Sequence, residues 1–77
     1  LGEGGTWTLE FTAPSVEYVQ EWVNELNAAG INFLLGNELT LIGGEYNASG
    51  MSDGYMVSVT VDAETLLTNF SFIGVAP

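Results

Sequence analysis

Two stretches of this chain alternate between apolar and polar residues, and a third stretch between them has helical spacing. From Thr6 to Ala13, Trp7, Leu9, Phe11 and Ala13 fall on one face and Thr6, Thr8, Glu10 and Thr12 on the other. That pattern predicts a half-buried strand with Trp7, Leu9 and Phe11 in the core. Tyr55 to Val61 repeats it, with Tyr55, Val57, Val59 and Val61 pointing one way. Between them Val16, Val19, Val23 and Leu26 form one stripe, widened by Trp22 and Ala29, while Glu17, Gln20, Glu21, Asn24 and Glu25 face water. This predicts an amphipathic helix over about 16–29. Pro14 breaks the preceding strand, Ser15 supplies an N-cap acceptor and Gly30 a C′ stop.

The remaining segments are shorter. Ile31 to Leu35 and Glu38 to Ile42 read as extended about a turn at Gly36-Asn37. A three-residue loop there sets Leu35 opposite Leu39 and Phe33 opposite Leu41. Gly43-Gly44 suggests a bulge or a close backbone approach. The stretch 43–54 is rich in Gly, Asn, Ser and Asp and reads as a loop, with Glu45-Tyr46 still extended. Asp62 is placed to cap a short turn over Ala63 to Thr68. Phe70 to Val75 is apolar on both faces, which suits a central strand or one inserted into a partner. The order β-α-β-β-β-short turn-β predicts an α+β fold, one helix on a small, mostly antiparallel sheet. Residues 1–5 read as a flexible lead-in and 6–77 as a single small domain. The chain begins at Leu1 without a basic leader, as a processed mature chain or an excised domain would.

Charge narrows the function. The 77 residues include ten acidic side chains and no Lys, Arg, His or Cys, for a net charge of −10. An ordinary domain of this length carries about nine basic residues. Without them, phosphate neutralisation and hence nucleic-acid binding lose their main source of affinity. A P-loop lysine, a Schiff-base lysine and a Ser-His-Asp triad cannot be built. The usual ligands for zinc, copper, haem and iron–sulfur clusters are missing, which leaves oxygen donors suited to Ca²⁺ or Mg²⁺. No run approaches the ~20 apolar residues that span a bilayer, so no membrane insertion is expected.

Three groups of residues are candidate sites. Phe70, Phe72, Ile73 and Val75 form a candidate subunit-assembly strand, unless that segment completes its own sheet. Glu17, Glu21 and Glu25 recur every four residues as a candidate acidic docking stripe, although a solvated helix face is the simpler explanation. Glu45, Asn47 and Asp53, with Ser49, offer oxygen ligands for Ca²⁺, but their spacing departs from an EF-hand and an ordinary loop is the simpler explanation. Asn47-Ala48-Ser49 and Asn69-Phe70-Ser71 match the glycosylation pattern. No catalytic constellation emerges, and the chain is not expected to be an enzyme.

A chain without Lys or Arg offers no site to trypsin-like proteases, a property suited to extracellular fibres, pilus-like polymers, surface layers and virions. The expected function is therefore a non-catalytic, extracellular structural subunit that assembles with copies of itself. The alternative is an acidic binding or inhibitor module that docks a basic protein.

Overall fold

The structure, a computed structural model, describes residues 5–34 and 36–74. Strand β1 (Thr6–Thr12) leads through Pro14 into helix α1 (Val16–Ala28), followed by β2 (Asn32–Phe33), β3 (Thr40–Ile42), β4 (Glu45–Ser52), β5 (Tyr55–Asp62) and β6 (Leu67–Gly74). All strands join one antiparallel sheet in the order β1-β6-β5-β4-β2, with β3 also pairing β4. The expected α+β class, one helix on a mostly antiparallel sheet, is what the chain adopts. No helix among the described residues is long and apolar enough to cross a membrane.

The helix starts where Ser15 Oγ accepts from the Tyr18 amide at 3.1 Å. It ends at Gly30, whose φ of +115° is a conformation glycine adopts without strain. Val19 and Val23 are fully buried on its inner face. They share one core with Val57, Val59 and Val61 of β5, Phe70 of β6, Ala48 of β4, and Ile31 and Phe33. The buried Thr68 donates its hydroxyl to the Leu66 carbonyl at 3.1 Å, so it costs no unpaired polar group.

Three expectations about the middle of the chain are corrected. The stretch 43–54 is not a loop, because Glu45–Ser52 forms an eight-residue strand paired along its length with β5. Gly43 and Gly44 form the tight turn into it, both at positive φ, and Asp53-Gly54 forms the turn out. The expected hairpin between Phe33 and Leu41 is absent. Phe33 pairs with Gly50 and Leu41 with Tyr46, so β2 and β3 each lie against β4 instead of each other. Asp62 does accept from the Glu64 and Thr65 amides, at 2.8 and 2.9 Å. The turn it closes is short, however, and the chain is extended again from Leu67.

Candidate functional site

The inner face of the sheet is built from three cross-strand rows. In register, Trp7 lies beside Phe72, Val57 and Gly50, Leu9 beside Phe70, Val59 and Ala48, and Phe11 beside Thr68, Val61 and Tyr46. Exposure along the middle row runs from 7% at Ala48 and 0% at Val59 through 4% at Phe70 to 44% at Leu9. The helix therefore covers β4, β5 and β6 and stops short of β1.

The physical reason lies in the helix's own stripe. Val19 and Val23 seat α1 over the valines of β5, which leaves Tyr18, Trp22 and Leu26, spaced four apart, on the flank toward β1. Between that flank and β1 runs an apolar groove of about 420 Å³, walled by the aromatic and leucine side chains of α1, β1 and β6. Trp7 is 53% exposed and Trp22 49%. The expectation that Trp7, Leu9 and Phe11 form the core is thus corrected: Phe11 is half-buried, while Trp7 and Leu9 line an open surface. Within the groove Trp7 leans on Phe72 with ring centroids 5.5 Å apart, and Phe11 stacks on Phe70 at 6.0 Å. Tyr18 meets Phe11 edge-on at 6.3 Å.

The candidate residues from the sequence fall in different places. Phe70 is buried, Phe72 half-buried and Ile73 exposed, while Val75 lies outside the described residues. Their strand is central, bonded to β1 on one side and β5 on the other, so it completes its own sheet and offers no free backbone to a neighbour. Glu17, Glu21 and Glu25 are all exposed on α1, and Glu21 and Glu25 border a shallow depression beside Trp22 and Tyr18. The Ca²⁺ candidates are not brought together. Glu45 begins β4 and Asp53 follows its end, a separation of ~26 Å at the usual strand rise. Asn47 donates to the Glu45 carbonyl at 3.0 Å, and no three Asp or Glu side chains cluster to hold an ion among the described residues. Asn47 and Asn69 both lie on the outer face of the sheet, in one cross-strand row with Thr60 and Glu10.

The Asp62 carboxylate is held by two backbone amides. The Thr65 amide, then the Glu64 amide, stabilise its charged form and lower its pKa.

Compared with models of known families, with curated proteins and with solved structures, the chain matches none.

Proposed function

We propose that this chain is a non-catalytic, extracellular structural subunit that assembles with copies of itself. The observation that carries the reading is the groove beside β1, where half-exposed Trp7, Leu9 and Trp22 adjoin a strand whose outer edge no described element covers. Apolar area of this kind is what subunit association removes from water. Polymer growth requires at least two such surfaces on each subunit. A second lies on the outer face of the sheet, where Ile73, Met56 and Met51 form an exposed cross-strand row. The absence of Lys and Arg, which leaves nothing for trypsin-like proteases to cut, supports an extracellular setting.

A second reading, an acidic module that docks a basic protein, draws on Glu21 and Glu25 at the rim beside Trp22. Particle mass by light scattering at pH 7, in low and high salt, separates the two. Assemblies much larger than one chain that survive high salt support the subunit. A single-chain mass in both conditions overturns it.

A further inference from the structure

We infer that β1 pairs antiparallel with β1 of a second copy about a two-fold axis at Leu9. This rests on the self-assembly reading and names the surface that performs it.

The backbone direction follows from the two ends of the β1–β6 ladder. Gly74 donates to the Gly5 carbonyl at 2.6 Å, and Ala13 donates to the Leu66 carbonyl at 2.9 Å. In an antiparallel ladder a residue's N–H and C=O point to the same side, and the side alternates along the strand. Residues 5, 7, 9, 11 and 13 therefore bond β6. Thr6, Thr8, Glu10 and Thr12 turn four donors and four acceptors outward, where no described element meets them.

The strand is complementary to itself. Thr6-Trp7-Thr8-Leu9-Glu10-Phe11-Thr12 repeats the same order of polar, aromatic and aliphatic positions from either end. With Leu9 opposite its own copy, Trp7 faces Phe11, Thr8 faces Glu10 and Thr6 faces Thr12, so no two charges stand directly opposed. Aromatic and threonine pairs of this kind stabilise a sheet. The outward groups then fall in the bonded positions and Leu9 in the close, non-bonded one. Lys and Pro, two usual guards of an edge, are missing from β1, its register with β6 runs unbroken, and Glu10 is its single charged side chain.

The geometry also joins the apolar surfaces. A two-fold axis perpendicular to the sheet keeps both helices on the same side, so the two grooves merge into one trough above the paired strands. Trp7, Trp22 and Tyr18 together expose about 300 Å² of aromatic surface per copy, taking each ring side chain at about 200 Å². A pair lines one trough with ~600 Å² of exposed aromatic surface, and only the part that meets the partner, with Leu9 and the strand edges, counts toward the ~1,000 Å² at which specific interfaces begin. An isologous pair closes on itself, so growth beyond a dimer falls to a different surface.

The test uses the whole chain, whose lack of cysteine makes an introduced thiol unique. In the non-bonded position the two Leu9 Cα atoms would lie ~4.5 Å apart, within disulfide reach. Under mild oxidation Leu9→Cys should link into covalent dimers at least tenfold faster than Ala63→Cys, which is exposed in the turn between β5 and β6. Thr8→Pro, which removes an outward amide and spares the β6 ladder, should weaken association at least tenfold while circular dichroism remains that of the folded chain. If Thr8→Pro does not fold, the cysteine comparison decides alone. Wild-type chains that assemble while Leu9→Cys links no faster than Ala63→Cys would overturn this surface and leave the self-assembly reading intact. Wild-type chains that stay single, with no Leu9→Cys linkage, overturn both, whether or not they bind a Lys-rich amphipathic peptide.

Discussion

Gln20 holds Leu39 against the helix. Its side-chain oxygen accepts from the Leu39 amide at 2.8 Å, and its nitrogen donates to the Asn37 carbonyl at 2.6 Å. Asn24 braces the same loop by accepting from the Asn37 side chain at 2.8 Å. These bonds tie down the segment between β2 and β3 and hold the partly buried Leu39 on the core. Gln20→Ala leaves the Leu39 amide without its partner and should cost about 1–3 kcal/mol. Hydrogen exchange is the check. The Leu39 amide should lose more protection than the amides of β5, because the loop opens without the sheet.

Gly50 is where β2 crosses closest to β4. A Cβ there would meet Ile31 Cγ2 at 2.7 Å, the Asn32 carbonyl at 3.1 Å and the Phe33 ring at 3.1 Å. Ile31 and Phe33 are both core residues, so neither can retreat freely. Gly50→Ala should therefore destabilise by about 1 kcal/mol, the overpacking cost outweighing the gain from a less flexible unfolded chain. In a domain of this size that lowers Tm by about 4–8 °C. A Tm equal to or above the parent's would show that β2 can move away.

Asp62 contributes to stability only while charged. Its pKa is lowered in the folded state, chiefly by the Thr65 amide and then by the Glu64 amide. A lowered folded pKa adds stability above the unfolded value of 3.8, and that stability is lost as pH falls through the folded value. Asp62→Ala should thus lower Tm at pH 7, and the gap to the parent should narrow below about pH 4. Paired melts at pH 7 and pH 3 test this. A gap that is unchanged at pH 3 would assign the loss to packing instead.

Some of this structure was legible in the sequence and some was not. The helix announced itself through Ser15, Gly30 and the Val19–Val23 stripe, and β5 through the alternation of Val57, Val59 and Val61. Strand β4 did not. Its inward residues are Tyr46, Ala48 and Gly50, and Gly50 has no room for a side chain because Ile31 and Phe33 crowd the sheet there. A strand whose buried face is small and whose exposed face carries Asn and Ser looks like a loop. The groove was hidden for a different reason. Alternation tells which side of β1 is apolar but not whether anything lies over it, and coverage depends on where Val19 and Val23 seat the helix.

The sign of the salt dependence separates the two readings of the groove. Each copy carries ten negative charges and no positive side chain, so side-chain electrostatics between two copies at pH 7 is repulsive. Salt shortens the Debye length from ~10 Å at 0.1 M to ~3 Å at 1 M and relieves that repulsion, while the apolar contribution to association is not screened. Self-association should therefore strengthen as salt rises. It should strengthen again toward pH 4, where carboxylates protonate and the chain has no cations left to unbalance it. A basic partner would behave in the opposite way, losing affinity both with added salt and with falling pH. Sedimentation equilibrium across 0.05–1 M NaCl at pH 7 and pH 4.5 measures both slopes. Association that weakens with salt would be incompatible with two like-charged copies meeting at β1.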